Sequence, residues 1–375
     1  MEITGAPFSI RVGPKRTEWV GSRGVNSITA FQGPPDFTTT TMASRWATVD
    51  KAKIKTAGFD HVRLAFDPQA YATTAQRDLF FTAVDDILDQ NLNVILCLLP
   101  SSSWRTGITS TGTNTAEGVG IFTDMAARVS AMPAATRYRV AFEVLNEPAI
   151  TGEYWNYVGR AIAAIKDTCP MHTIMFPVQS SGGGVFRGES LPFVDYGVVA
   201  SHYYGNGDDF TYTHQAASWI SAGHGIIGNY GTTTVGVGLV FPRDTANCTA
   251  VLNAISASSF DSTAKSQATT LVNNYNSTNY VARKIGEYVA SCRSWAKWAQ
   301  MPVLCTEVGA NQVGANPETW FSAVSDAFTD QLGLTFFEWS PGGGPFSVCD
   351  SSQAIKSTLT GVGMGDGGGK VPDYG

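Results

Sequence analysis

The chain has 375 residues, with 25 Lys and Arg against 31 Asp and Glu for a net charge of −6, and 43% hydrophobic content. That composition excludes a disordered chain and offers no basic surplus for a phosphate backbone, so nucleic acid is not an expected partner. No apolar run reaches the roughly 18 residues of a membrane span, and the start, Met1-Glu2-Ile3-Thr4-Gly5, lacks the basic and apolar regions of a leader. Phe8 to Val20 alternates apolar and polar residues around Gly13-Pro14 and reads as a β-hairpin ahead of the main fold. Eight strand-like runs follow, at Gly24 to Ala30, His61 to Phe66, Asn93 to Leu99, Val140 to Leu145, Thr173 to Val178, Gly197 to His202, Pro302 to Thr306 and Leu334 to Trp339. Helical stretches separate most of them. Phe80, Ala83, Val84, Ile87 and Leu88 form one apolar stripe, and Tyr154, Tyr157, Val158, Ala161, Ile162 and Ile165 form another. Asn316-Pro317 opens a third helix that runs through Phe321, Val324 and Phe328.

Eight strands with interleaved helices predict an α/β chain closed as a (β/α)8 TIM barrel, one catalytic domain spanning residues 1–375. Tyr204 and Pro302 are 98 positions apart, more than one loop and helix require. Residues from about 205 to 266 therefore read as an insertion after strand six, on the face that carries active sites in barrels, with an extra hairpin near residues 232–241. It is either a substrate-shaping loop or decoration. Leu271 to Met301 reads as the returning helix, and residues 361–375 as a mobile Gly-rich tail.

Six cysteines lie far apart, with no CxxC pair and no nearby histidines, so neither a zinc site nor a redox motif is indicated and no metal or cofactor is expected. Cys97 and Cys305 read as core thiols. Cys248 and Cys292 are a candidate disulfide among pairings that the sequence does not decide. The chemistry lies in carboxylates. Strand four ends in Glu143-Val144-Leu145-Asn146-Glu147-Pro148, where alternation puts Glu143, Leu145 and Glu147 on one face and brings Glu147 to the C-terminal mouth. Strand seven, Val303 to Gly309, brings Glu307 to the same mouth. Two strand-end carboxylates facing each other are the equipment for cleaving a glycosidic bond. Arg63 reads as the partner of a buried carboxylate, with Glu143 the candidate, while Tyr203 and the histidines at 61, 172, 214 and 224 are assigned to packing. A serine hydrolase is disfavoured, because no GxSxG elbow occurs.

Six motifs in order, Arg23-Gly24-Val25-Asn26, Gly58 to Leu64, Asn146-Glu147-Pro148, His202-Tyr203-Tyr204, Thr306-Glu307-Val308-Gly309 and Trp339, make the chain resemble glycoside hydrolase family 5, the cellulase family. The resemblance implies a retaining double displacement with Glu147 as general acid/base and Glu307 as nucleophile, the carboxyl groups about 5 to 5.5 Å apart. It further implies that Asn146 binds the sugar 2-hydroxyl, that Arg63 and Tyr204 keep Glu307 ionised, that His202 contacts substrate on the acid side, and that Trp339 is the floor on which the first sugar stacks. One position departs: the family's histidine at the end of strand three is absent from Val94 to Pro100, and Trp104 is expected to compensate by stacking on a sugar face.

The reading that follows is an O-glycosyl hydrolase of β-glucanase or cellulase type, a monomer acting within chains of oligo- or polysaccharide, without membrane association. β-Mannan and β-1,3-glucan are alternative substrates, and an inactive glycan-binding barrel is the alternative of another class. A polymeric substrate implies a secreted or periplasmic workplace, with the leader absent from the chain as given.

Overall fold

In the computed structural model of the protein, the residues described are 23–148, 152–177, 197–203, 243–259, 261–277, 290, 294, 303–308, 333–336, 339–341 and 347–356. Eight strands close into a barrel in chain order: β1 (Arg23–Ser27), β2 (His61–Phe66), β3 (Asn93–Leu98), β4 (Val140–Glu143), β5 (Ile174–Pro177), β6 (Gly197–Tyr203), β7 (Val303–Val308) and β8 (Gly333–Phe336). Every pairing is parallel, and β1 pairs with β8 to complete the ring. The described helices are α1 (Thr39–Ala47), α2 (Lys51–Thr56), α3 (Thr74–Asp89), α4 (Ser102–Thr106), α5 (Thr113–Ala131), α6 (Ala134–Arg137), α7 (Gly152–Thr168), α8 (Thr245–Ala257) and α9 (Ser262–Ser277). Among the described residues, no helix is long and apolar enough to cross a membrane.

Local chemistry explains why the helices start where they do. Thr73 caps α3 by accepting from the Gln76 amide, while the Gln76 side chain accepts from the Thr73 amide, so two otherwise orphaned N–H groups are satisfied together. Its expected apolar stripe is buried throughout, and so is that of α7. Phe80 is the hub of an aromatic cluster, with ring centroids 5.0 Å from Phe66, 5.2 Å from Phe31 and 5.6 Å from Tyr71, all edge to face. These contacts fasten α3 to the outer surface of the barrel.

Among the described residues, two cores are distinct. The larger fills the space between strands and helices, and a smaller one joins Ile95 of β3, Ala141 of β4, Met175 of β5 and Leu304 of β7. Because β7 is no neighbour of β3, β4 or β5, Leu304 meets them only across the barrel's inside. This layer is the floor beneath the site.

The hairpin at 8–20, the inserted hairpin at 232–241, the helix after Asn316-Pro317 and the tail at 361–375 lie outside the described residues. The insertion needs correction at its C-terminal end. Residues 245–257 are helical, capped by Asp244 through the Asn247 amide, and α9 begins at Ser262, nine positions ahead of Leu271. The Gly, Ser and Thr content suggested loop, yet Cys248, Val251 and Ile255 form a buried stripe at helical spacing. Cys248 is a buried free thiol, as are Cys97, Cys169, Cys305 and Cys349, and Cys292 lies outside the described residues.

Candidate active site

The site is built around one buried side chain. Arg63, on the inward face of β2, is fully buried and offers five N–H donors in a rigid fork. All five have acceptors: Nε and Nη2 grip the two Glu143 oxygens at 2.6 and 2.7 Å, Nη2 also reaches Asn146 Oδ1 at 2.7 Å, and Nη1 reaches Asn26 Oδ1 at 2.8 Å and Glu307 Oε1 at 2.9 Å. Residues from β1, β2, β4, the loop after β4 and β7 thus converge on one guanidinium. Glu143 is the partner anticipated for Arg63. Cys97, paired with Glu143 in register, lies in the same cluster, and burial pushes its thiol well above the ordinary range against the pull of Arg63. It stays a neutral S–H and adds no charge.

Glu307 owes its direction to an irregularity. Between β6 and β7, Ser201 pairs with Cys305 but His202 pairs with Glu307, and between β7 and β8, Cys305 pairs with Leu334 but Val308 with Phe336. Counted against either neighbour, β7 carries one residue too many at Thr306-Glu307. Strict alternation from the inward Leu304 would send Glu307 outward, and the bulge turns it back to Arg63. Asn26 holds the bulge from the other side, donating from Nδ2 to the Thr306 carbonyl at 2.9 Å. Glu307 is only 5% exposed.

Glu147 reaches its place differently from the expectation. Strand β4 ends at Glu143, and Leu145 packs in the outer core, so strand alternation does not carry through to residue 147. Instead, Asn146 donates its backbone N–H to the Leu98 carbonyl at 2.8 Å, and Glu147 adopts a left-handed φ of 42°, a costly conformation for a side chain of this size. Its carboxylate is partly exposed and lies 3.5 Å from Nη1 of Arg105.

Arg105 was missed by the sequence reading. It sits on α4, the short helix that follows β3, and Ser101 caps that helix by accepting from the Trp104 amide. The run of serines before Trp104 was the available signal.

Two expected sugar platforms have other partners. Trp339 is fully buried, with its ring edge-on to Phe59, centroids 6.1 Å apart, and its Nε1 donated to Gln353. That is a core placement rather than an open floor, since Gln353 also bonds Asp50 and Thr48 beside α1 and α2. Trp104 is half-buried, edge-on to Tyr157, and donates Nε1 to Glu117 at 2.7 Å. His202 is placed by its backbone pairing with Glu307, and Tyr204 lies outside the described residues. Among the described residues, no group of three or more His, Cys, Asp or Glu could hold a metal ion.

Residues 28–343 match the sequence pattern of the cellulase family, glycosyl hydrolase family 5. The chain belongs to glycosyl hydrolase family 5. Its barrel is similar to that of Thermotoga maritima Cel5A, solved with mannotriose, at a TM-score of 0.62 and 19% identity over 93% of this chain and 99% of that one. It is likewise similar to the Clostridial cellulose synthase subunit Z from Clostridioides difficile, at a TM-score of 0.60 and 17% identity over 91% and 98% of the two chains. A broad-specificity endoglucanase from Clostridium longisporum aligns at a TM-score of 0.61 and 13% identity over 94% and 97%. No curated protein sequence matches the chain. As a family 5 member the protein is a glycosidase built on a (β/α)8 barrel, and the pairing of bulge and guanidinium described above is how this chain presents a carboxylate at the end of β7.

Proposed function

We propose that the protein hydrolyses a β-linked glucan within the chain, with net retention, using Glu307 as nucleophile and Glu147 as general acid/base. The observation that carries this reading is the β7 bulge, which spends a strand irregularity on turning Glu307 inward to Arg63 while Glu147 stands past the end of β4, three strands away. In the first step a Glu307 oxygen bonds the anomeric carbon, the glycosidic bond breaks, and the Glu147 proton goes to the leaving oxygen. In the second, water gives a proton to Glu147 and its oxygen displaces Glu307. Two inversions leave the anomeric configuration unchanged.

The orientation of the Asn146 side chain supports its part in binding the sugar. Arg63 has only donors, so the atom facing it is the Asn146 oxygen, and the amide NH2 is the end that can donate to a sugar 2-hydroxyl. Low charge suits a neutral sugar, and related barrels have been solved with cellobiose and with mannotriose. Proton NMR of products on a panel of glucans and mannans tests the proposal. The β-anomer should appear first on a glucan; an α-anomer appearing first would refute the double displacement, and cleavage confined to mannan would replace the substrate. Glu147→Ala with azide should yield the β-glycosyl azide.

A further inference from the structure

The geometry points to Arg105 as the residue that positions Glu147 for proton transfer, an inference that rests on the acid/base reading of Glu147. Three observations converge. Nη1 of Arg105 lies 3.3 Å from the Asn146 carbonyl oxygen and 3.5 Å from Glu147 Oε2, while Nη2 donates to the Ser102 hydroxyl at 3.0 Å. The Asn146 carbonyl belongs to the peptide that enters Glu147, and Glu147 is held at a φ of 42°, which a non-glycine residue adopts only when its surroundings enforce it. One nitrogen therefore faces both the backbone that sets the side chain's origin and the carboxylate at its end.

The position of Arg105 gives this contact its consequence. It projects from α4, the helix that directly follows β3. The chain thus brings a cation beside Glu147 on a helix rather than on a strand end. As Glu147 gives up its proton to the leaving oxygen, the charge that develops on it is met by a partner already in place. Both groups remain partly exposed, with side chains 18% and 26% accessible, so the contact is open to substrate rather than sealed in the core.

A positioning role of this kind has a signature that loss of folding does not share: it matters only when the leaving group needs a proton. The test compares kcat/KM, which reports formation of the glycosyl-enzyme, for phenyl and dinitrophenyl β-cellobiosides in wild type, Arg105→Ala, Arg105→Lys and Glu147→Ala. Arg105→Ala should lose about tenfold or more on the phenyl glycoside and less than about twofold on the dinitrophenyl one, a fraction of the ~10²–10⁴ that acid assistance supplies. Arg105→Lys should fall between, since an ammonium supplies charge without the fork. Equal losses on both glycosides, or none, overturn the proposal for Arg105 while leaving Glu147 untouched. If Glu147→Ala itself fails to spare the activated glycoside, the acid assignment falls and this inference with it.

Discussion

At the scale of single residues, the molecule depends on geometry more than on charge. Arg63 is enclosed, and each of its five N–H groups has an oxygen at 2.6 to 2.9 Å. Lysine carries the same charge at one point with three donors, so it cannot serve Glu143 in bidentate fashion and still reach Asn26, Asn146 and Glu307. Breaking a buried pair typically costs about 3–5 kcal/mol, because the partner left behind keeps its desolvation penalty. Arg63→Lys should therefore lower the urea midpoint by the equivalent of about 3 kcal/mol at unchanged m and abolish most turnover. A variant within about 1 kcal/mol of wild type would show that the fork is not what holds the cluster. Glu143 and Arg63 were readable from the sequence because a charged residue inside an apolar strand needs a partner, and the two strands supplied one each. Arg105 was not, because a cation on a short helix after a strand reads as an ordinary solvated side chain until the backbone of Asn146 and Glu147 is seen to fold against it.

Elements divide by whether their own sequence or their neighbours determine them. The stripes of α3 and α7 follow from apolar spacing alone, and the structure buries every residue of both. Strand parity near the site is different. Glu143 and Asn146 have opposite parity yet both bond Arg63, and Leu304 and Glu307 have opposite parity yet both face inward. Each case depends on where a strand stops or bulges against its partners, and pairing register is not written in the period of a single strand. The bulge makes its own prediction. Asn26 donates to the Thr306 carbonyl and accepts from Arg63, so Asn26→Ala leaves one buried acceptor and one buried donor unpaired. At about 1–3 kcal/mol for each such group, the variant should unfold at distinctly lower urea. Its surviving folded fraction should lose kcat more than KM, because Glu307, the proposed nucleophile, is no longer fixed toward Arg63. Unchanged kcat per folded molecule would mean the bulge stands without Asn26.

At the scale of the whole molecule, the proposed chemistry and the closure occupy opposite ends of the barrel. The mouth carries the carboxylates, while the bottom is fastened by His61, which is fully buried and bonded to Asp60 through Nδ1 at 2.8 Å and to Thr335 of β8 through Nε2 at 2.7 Å. That imidazole spans from β2 to β8 across β1, the strand at which the ring closes, and the residue of β1 beneath it is Gly24, its register partner. A Cβ at position 24 would overlap the ring. The ring has no room to retreat, since both nitrogens are bonded and no part of it is exposed, so the glycine is required for close approach rather than for an unusual φ. Eight strand-like runs were enough to predict a barrel, but the sequence offered no reason for this glycine, because the contact joins residues 24, 61 and 335 through the closed ring. Gly24→Ala should destabilise the fold by about 2–3 kcal/mol or more, as overpacking in a well-filled interior does, read as a lowered urea midpoint. The double variant Gly24→Ala/His61→Ala removes the obstacle and should recover part of that loss despite forfeiting two hydrogen bonds, a non-additivity expected only of residues in direct contact. Because the fastening lies below the Ile95, Ala141, Met175 and Leu304 layer, kcat per folded molecule should hold near wild type in both variants. Additive losses, or a fall in kcat matching that of a mouth variant, would show that closure at the bottom and catalysis at the mouth are not separable.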